Sequence, residues 1–462
     1  MNKKPKTTRR EFFKVTAGSA AVFALPHIVT SRVLAALTSG GIIRVGHIGC
    51  GRIAHEADLP GILSQAAARI VAVCDLDALR LAKTKKLIED HYAKMEKPSE
   101  VKAYADYHAL LADPKIDAVV ISTPDHWHAQ HVIEAARAGK HIYVQKPLSL
   151  TIAEGRVASD AARAAKIVLQ VGSQQRSSTQ FHDACEFVRN GRVGTVHTVR
   201  IGLPTDPTAA DTPAEPVPAT LNYDVWLGSS PFAPYTEQRV HPQTSFLRPG
   251  WLRCEDYTRG MITGWGSHHF DIAHWGMDTE LTGPIAAEGK AEWPKNTIWN
   301  VHGAYHVELT YANGATMIVD NTFPNGVRFE GDKGWIFVSR GSEKATASDP
   351  VSPGKELKKL DASEPKLLAK LQAKEAIRLP VSKDHYGNWL EAIASGTQPI
   401  APAEVAHRSC SACLVAWAAM KLGRKVTWDP ATERFSDEAA QALVSRPERA
   451  PYGALRAAAK RP

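Results

Sequence analysis

The chain has 462 residues, 44% of them hydrophobic and 23% charged, which is the composition of a globular protein with two or three domains. The formal net charge is +8, but residues 1–36 hold seven basic residues and one acidic residue, so residues 37–462 carry only +2. A nearly neutral protein body gives no support to nucleic-acid binding. The sequence also predicts no membrane span, because no apolar run approaches the ~20 residues that a span requires.

The N-terminal segment 1–36 has the pattern of a twin-arginine export signal. A pair of arginines, Arg9 and Arg10, is followed by an aromatic residue, a lysine and a weakly hydrophobic stretch at 15–25. This pattern is typical of signals that direct the export of already folded proteins. The sequence therefore predicts a periplasmic or otherwise exported protein, which could carry a cofactor loaded before export. A basic, frayed N-terminus is the alternative.

A strand, a glycine-rich turn, a helix and a second strand follow this segment. An apolar run leads into the sequence GCGRIA, and a second apolar run ends at Asp75. Gly49 permits the tight turn, and Gly51 lets the backbone approach a pyrophosphate at the helix N-terminus, where Arg52 and Ile53 follow. Asp75 stands where an acid hydrogen-bonds the 2′-hydroxyl of NAD and repels the 2′-phosphate of NADP. The unit predicts NAD binding, and an ordinary glycine-rich turn is the alternative.

Alternation of strands and helices continues beyond this unit. Strands are expected at 117–122 and 140–144, and helices at 78–94 and 129–138. Such alternation predicts a doubly wound parallel sheet, in which ligands bind at the carboxyl ends of the strands. We therefore predict a Rossmann domain at 42–166.

The loops that end the two later strands contain polar residues that would surround a bound dinucleotide. The residues expected to contact it are Thr123, Pro124, His126, His128, Gln145 and Lys146. For the two histidines, a helix start capped by Asp125 is the alternative interpretation.

Lys146 is the strongest candidate for acid–base chemistry. It ends a parallel strand immediately before a proline, at the face where a nicotinamide ring would lie. Poor solvation and a positively charged oxidised ring would lower the pKa of this lysine, so that it could exchange a proton with a substrate hydroxyl. A surface lysine at a strand end is the alternative.

The segment 265–275 is a predicted helix on which His268 and Asp271 share one side. One imidazole facing the cofactor could orient a sugar hydroxyl or pass a proton. A histidine and a carboxylate three residues apart can also share a metal ion, and a structural histidine is a third possibility. We predict the catalytic role for His268 and no metal.

Beyond residue 166 the pattern changes, and we predict a second domain at 167–430 followed by a C-terminal tail at 431–462. The basic, Ala-rich part of this tail after Ser445 is expected to be solvated. A long Pro-, Trp- and Arg-rich segment, 203–260, has the size of loops that build sites or subunit contacts. Its Tyr235 and Arg239 combine flat faces with polar tips, as sugar sites do. Several strand-like stretches after residue 284 predict a mostly antiparallel sheet.

These motifs together resemble those of the Gfo/Idh/MocA family of oxidoreductases. The matching stretches are GCGRIA at 49–54, TPDHWH at 123–128, QKPL at 145–148, VGSQQR at 171–176 and HHFDIA at 268–273. The resemblance implies a Rossmann domain joined to an α+β domain with an open, mostly antiparallel sheet, bound NAD(P) with NAD favoured, and sugar or cyclitol substrates. It also implies homodimers or homotetramers formed through the open sheet.

The same resemblance assigns roles to single residues. It makes Lys146 the acid/base lysine and His268 its partner. Arg176 and Asp271 lie within the matching motifs, and we expect them to contact the substrate together with the two polar residues of the long segment.

Two positions depart from the family pattern. Family dehydrogenases usually carry Glu before the lysine, where this chain has Gln145, and often Asp four residues before the histidine, where it has Gly264. The prediction is an exported NAD-dependent oxidoreductase that transfers hydride between a sugar or cyclitol hydroxyl and nicotinamide. Two alternatives stay open: an NAD-retaining glycosidase or lyase that acts by transient oxidation and elimination, and a non-catalytic sugar-binding protein.

Overall fold

The computed structural model describes residues 41–209, 212–341, 357–372 and 377–460. The predicted export signal, 1–36, lies outside these ranges. In the ranges given, none of the helices combines the length and the apolarity that crossing a bilayer requires.

The first domain is built on a six-stranded sheet whose strands all run parallel. Its strands are β1 (Ile43–Ile48), β2 (Ala68–Cys74), β3 (Lys102–Tyr104), β4 (Ala118–Ile121), β5 (His141–Val144) and β6 (Leu169–Val171). They lie in the order β3-β2-β1-β4-β5-β6, so the winding reverses between β1 and β4. Ligands of such sheets bind outside the carboxyl ends of the strands at this reversal. The predicted doubly wound fold is confirmed.

Helices cover both faces of this sheet. A π-helical turn, Ala54–Asp58, runs directly into the first of them. The helices are α1 (Leu59–Leu63), α2 (Ala78–Lys94), α3 (Tyr107–Ala112), α4 (Asp125–Arg137) and α5 (Ile152–Ala164). Because helices shield both faces, every residue of the neighbouring strands β4 and β5 is buried.

The second domain is built on a nine-stranded sheet. Its strands are β7 (Val196–Gly202), β8 (Pro284–Ala291), β9 (Tyr305–Tyr311), β10 (Thr316–Asp320), β11 (Gly326–Gly331), β12 (Gly334–Val338), β13 (Leu360–Ala362), β14 (Val426–Asp429) and β15 (Arg434–Phe435). They lie in the order β13-β12-β11-β7-β10-β9-β8-β14-β15, and β7 with β10 is a parallel pair in an otherwise antiparallel arrangement. The predicted mostly antiparallel sheet is therefore confirmed.

One face of this second sheet is covered by helices and the other is polar. The helices in this half of the chain are α6 (Thr179–Arg189), α7 (Tyr223–Leu227), α8 (Met261–Gly264), α9 (Gly266–Met277), α10 (His385–Ser395) and α11 (Ala403–Leu422). Of these, α10 packs on the parallel sheet of the first domain, and α7 packs within the segment 203–260. Along β9, buried residues alternate with exposed ones. This alternation of period two is what a sheet with one open face requires.

After β15 and a further short helix, α12 (Glu438–Gln441), the C-terminal end of the chain returns to the first domain. There the short helix α13 (Ala454–Ala459) packs against α4 and α5, with Ala457 only 2% exposed. The backbone N–H of Gly453 donates to Oε1 of Gln130 on α4 over 2.7 Å. The expected solvated tail is therefore wrong for these residues, because small alanines allow the last helix to approach α4 closely.

Candidate active site

A cleft of about 1160 Å³ opens at the carboxyl ends of β1, β2, β4 and β5. Its wall contains these residues that the sequence predicts to bind the cofactor: Gly49, Gly51, Arg52, Ile53, Asp75, Thr123, Pro124, His128, Gln145 and Lys146. The opposite wall comes from the long segment 203–260, which contributes Trp226, His241, Leu247, Pro249 and Trp251 among others. The mostly apolar walls with a few polar groups suit a bound cofactor.

The glycine-rich turn is shaped for a close approach of the cofactor. Gly49 has φ of +93°, and a Cβ added there would lie 2.8 Å from the carbonyl of Ser122. A Cβ added at Gly51 would meet no described atom within 4 Å, so this residue faces the open cleft. Bare backbone beside a helix start is what the pyrophosphate of a dinucleotide needs, and the residues therefore fit the group.

Asp75 supports this turn as well as facing the cleft. Its Oδ2 accepts from the backbone N–H of Cys50 over 2.6 Å, and its Oδ1 accepts from the backbone N–H of Asp77 over 2.8 Å. Burial raises the pKa of Asp75, while these two N–H groups oppose that rise. A carboxylate has about four acceptor sites, so both oxygens retain capacity for ribose hydroxyls.

Lys146 lies at the end of β5 in the wall of the cleft, among four other titratable groups. Asp58, Asp125, His128 and His268 are all close enough for its charge to affect their pKa values. Burial lowers the pKa of His268 well below its usual value, so this ring is neutral at neutral pH. Burial also lowers the pKa of His128, but two backbone carbonyl oxygens oppose that fall. Lys146 is thus close to two buried acids and two buried imidazoles.

His128 connects the two loops that end β4 and β5. Its Nδ1 lies 2.6 Å from the carbonyl oxygen of Pro147, and its Nε2 lies 2.8 Å from that of Thr123. The expected cap at Asp125 is not formed: Pro124 occupies the N-cap position, and the Asp125 carboxylate accepts instead from Thr258 over 2.8 Å. Asp125 thereby ties the start of α4 to the long segment.

His126 lies away from the cleft, which differs from its expected contact with the cofactor. Its Nε2 is 3.0 Å from the carbonyl oxygen of Trp226, and its ring packs against those of Trp226 and Tyr257. Two residues along a helix turn by about 200°, so His126 and His128 point to opposite sides of α4.

His268 lies on α9, 6% exposed, and its Nδ1 has no hydrogen-bond partner among the described residues. Four residues earlier, a Cβ added at Gly264 would meet nothing within 4 Å in the described part of the chain. The aspartate that the family often has at this position would therefore fit, and its absence leaves open space near the start of α9.

Arg176 and Asp271 form a buried ion pair, with 2% of each side chain exposed. The guanidinium also bonds Glu280, and Oδ1 of Asp271 accepts from Ser409. This placement contradicts their expected contact with the substrate. It also argues against a metal site shared by Asp271 and His268, because both carboxylate oxygens are already bonded.

Tyr235 and Arg239 pack inside the long segment instead of facing the cleft. Tyr235 is 4% exposed and meets the ring of Tyr223 edge-on at 5.3 Å. Arg239 lies beside Tyr223 and Tyr257. This placement does not support the predicted substrate role of these two residues. The sequence of the long segment does not show which of its polar side chains point towards the cleft and which pack within the segment.

Residues 241–252 of the long segment form what we call the strap, which closes the cleft near Asp75. Arg80 on α2 donates to the carbonyl oxygens of Pro242 and Ser245 over 2.7 and 2.9 Å. Its guanidinium also lies over the ring of Phe246, which stacks on His55 at 3.9 Å between centroids. Arg80 could not be singled out from the sequence, because its partners lie more than 160 residues away along the chain.

Comparison with known proteins agrees with the fold and the cleft. Residues 43–173 match the model of the Gfo/Idh/MocA NAD-binding Rossmann fold, and residues 208–454 match that of the family's C-terminal alpha/beta domain. The fold and site define an NAD-dependent oxidoreductase that acts on CH–OH groups. The chain belongs to the Gfo/Idh/MocA oxidoreductase family.

Several curated relatives have assigned names. The scyllo-inositol 2-dehydrogenase (NAD(+)) of Bacillus subtilis is 32% identical over 305 residues, which cover 64% of this chain and 73% of that protein. The myo-inositol 2-dehydrogenase of Thermotoga maritima is 33% identical, over 39% of this chain and 48% of that protein. The glycosyl hydrolase family 109 protein 2 of a Shewanella species is 39% identical over only 25% of this chain and 24% of that protein.

Solved structures share the fold. The aldose-aldose oxidoreductase from Caulobacter crescentus, complexed with glycerol, has a TM-score of 0.57 with 18% identity, and the match covers 84% of this chain and 99% of that one. At this identity the likeness shows the fold alone.

Proposed function

We propose that this protein oxidises a ring hydroxyl of a sugar or cyclitol, with Lys146 as the acid/base residue. The observation that carries the proposal is the position of Lys146, at a strand end in the cleft wall and flanked by buried acids. The two inositol dehydrogenases among the relatives support a polyhydroxylated ring as the substrate.

The residues around the lysine suit this task. Bound NAD would supply the hydride acceptor. Lys146 would remove the proton from the substrate hydroxyl, and neutral His268 would hold that hydroxyl by a hydrogen bond. Asp58 and Asp125 balance the positive charge that Lys146 carries once it holds the proton, while the apolar walls of the cleft limit the access of water.

The test is the Lys146→Met variant, assayed with NAD and a panel of cyclitols and aldoses. We expect the wild type to form NADH with at least one of them, and we expect the variant to lose about 10²–10⁴-fold in kcat. NAD affinity, measured by tryptophan fluorescence, should change little. Lys115→Met, which alters an exposed lysine, is the control. Unchanged turnover in Lys146→Met would remove the acid/base assignment.

A second candidate is an NAD-retaining glycosidase or lyase that acts by transient oxidation and elimination. Two observations favour it: the strap closes over the cofactor cleft, and the family's carboxylates are missing at Gln145 and Gly264. Native mass spectrometry of the purified protein would show whether NAD remains bound. Consumption of a glycoside without accumulation of NADH would support this candidate and exclude net dehydrogenation.

We also propose export and self-association. The export proposal rests on the pattern at 1–36, and it predicts that replacing both Arg9 and Arg10 by lysine leaves the protein in the cytoplasm on cell fractionation.

Association into dimers or tetramers rests on the open polar face of the second sheet and on the family resemblance. The native mass spectrum gives the subunit count directly.

A further inference from the structure

Asp58 is a fully buried carboxylate beside the cleft that the sequence analysis did not single out. It ends the π-helical turn after the glycine-rich loop and is 0% exposed. Its Oδ2 accepts from the hydroxyl of Ser122 over 2.5 Å. Its Oδ1 accepts from Nε2 of Gln145 over 2.7 Å and from the hydroxyl of Tyr386 over 2.8 Å.

These donors come from three different parts of the fold. Ser122 follows β4, Gln145 follows β5, and Tyr386 lies on α10, which comes from the C-terminal half of the chain and packs on the parallel sheet. Three donors converging on one group suit an ionised carboxylate, which accepts hydrogen bonds and donates none. Burial raises the pKa of Asp58 to about 6, and the hydrogen bonds and the charge of Lys146 oppose a larger rise. The group is therefore ionised at neutral pH.

A buried carboxylate is stable only where a cation or a set of donors compensates its charge. The cation that acts on Asp58 is Lys146, the residue after Gln145. At position 145 the family usually has a glutamate. In this chain the side-chain amide of Gln145 instead donates a hydrogen bond to Asp58. The negative charge therefore lies on Asp58 and not on the side chain at position 145.

We propose that Asp58 is a positioning residue for Lys146. Asp58 is linked to the end of β5 through its hydrogen bond with Gln145, and it takes the place of the carboxylate that the family has at position 145. In this position it sets the pH at which Lys146 gives up its proton. The inference rests on the proposed acid/base role of Lys146.

Other charged and titratable groups face this pair. The groups close to Lys146 are Asp125, His128 and His268. The groups close to Asp58 are Tyr143, Tyr386 and, through Ser122, His47. Burial holds the rings of His47 and His268 neutral and the tyrosines protonated at neutral pH. For His128, two backbone carbonyl oxygens oppose the effect of burial on its pKa. Asp125 is the other acid, and it stays in place in every variant described below.

The sign of the effect follows from the charges. A nearby anion favours the ammonium form of a lysine, so removing the charge of Asp58 should let Lys146 lose its proton at lower pH. Asp58→Asn keeps the shape of the side chain and removes only the charge.

The experiment measures proton loss without a substrate. The full-length folded protein is treated with trace acetic anhydride across a pH series, and mass spectrometry follows acetylation of the peptide that contains Lys146. We expect the midpoint of reactivity in Asp58→Asn to fall by on the order of one pH unit. The double variant Asp58→Asn/Gln145→Glu should return the midpoint towards the wild-type value. Glu391→Gln, the same change at an exposed site on α10, should leave it unchanged.

An unchanged midpoint in Asp58→Asn, or no recovery in the double variant, would overturn the proposal. Should Asp58→Asn fail to fold in thermal unfolding, the comparison of Gln145→Glu with the double variant decides, because these two differ only in the charge at position 58. The double variant should have the lower midpoint, and equal midpoints would overturn the proposal. Because labelling requires no turnover, failure of the proposed function shows separately, as full activity of Lys146→Met.

Discussion

Arg156 of α5 and Glu404 of α11 join the two domains through a two-point ion pair in which both nitrogen–oxygen distances are 2.8 Å. The same guanidinium bonds Glu433, and Glu433 lies 2.8 Å from Nε2 of His407. Because these charges connect the parallel sheet to the second domain, they fix the position of one domain relative to the other. We expect the integrity of this cluster to decide how the protein tolerates acid.

Acid should weaken the protein through Glu404. Burial by itself would raise its pKa, but Arg156 lowers the pKa to about 2, from 4.5 for the free group. A carboxylate with a depressed pKa contributes stability that is present above its unfolded pKa and is lost as the pH falls through the folded value. We therefore expect urea unfolding to show a loss of stability as the pH falls from about 4.5 towards about 2.

The Arg156→Gln variant tests the source of this loss. At neutral pH it should be less stable than the wild type by about 2 kcal/mol, between the values for surface and buried pairs. The difference should shrink in acid, where the wild type has lost the same interaction. Arg163→Gln on the same helix removes an exposed pair with Asp160 and should change little. A difference that stays constant with pH would contradict the assignment to Glu404.

The buried pair of Arg176 and Asp271 should act on stability and not on substrate binding. Arg176→Met leaves an uncompensated carboxylate in the interior, so we expect a loss of about 3–5 kcal/mol in the free energy of unfolding. The double variant Arg176→Met/Asp271→Leu should recover part of this loss. Denaturant unfolding gives the stabilities, and KM reports substrate binding. A raised KM with unchanged stability would instead support a substrate contact.

The strap should control how fast the cofactor leaves. Phe246 stacks on His55 and lies under the guanidinium of Arg80, and such ring contacts contribute about 0.5–1.5 kcal/mol each. We expect Phe246→Ala to speed NAD dissociation by up to about tenfold in a stopped-flow displacement experiment. Phe232→Ala, which removes a ring that is 74% exposed in the same long segment, is the matched control. Equal dissociation rates in both variants would show that the strap does not retain the nucleotide.

The last helix should be part of the stable core. Ala457 is 2% exposed, whereas Ala459, two residues later on α13, is exposed. Ala457→Asp places a charge in the contact with α4 and α5 and should cost about 2 kcal/mol or more. Ala459→Asp introduces the same charge into solvent and should leave the melting temperature almost unchanged. Equal melting temperatures for the two variants would mean that α13 does not pack as described.

The sequence predicted those features that depend on neighbouring residues. The glycine-rich turn, the strand ends at Thr123 and Lys146 and the alternation of the second sheet are local patterns, and each lies where it was expected. Residues whose roles depend on distant partners were not predictable in this way. Arg176 meets an acid 95 residues away, and Asp58 accepts from a tyrosine 328 residues away.

The direction in which a side chain points from a helix was a second feature that the sequence did not predict. His126 and His128 belong to one motif, but only His128 turns towards the cleft. Asp58 has the sequence surroundings of a solvent-exposed helix residue, and its burial follows from contacts that only the complete fold creates. The sequence therefore indicated which loops form the site more reliably than which side chains of those loops enter it.

The strap comes from chain that follows the parallel sheet, so the two walls of the cleft come from different halves of the protein. The first domain alone would present a half-open nucleotide groove, since the wall containing His241 and Trp251 belongs to the other half. Substitutions in residues 241–252 would therefore change how one side of the groove is closed and leave the glycine-rich turn as it is.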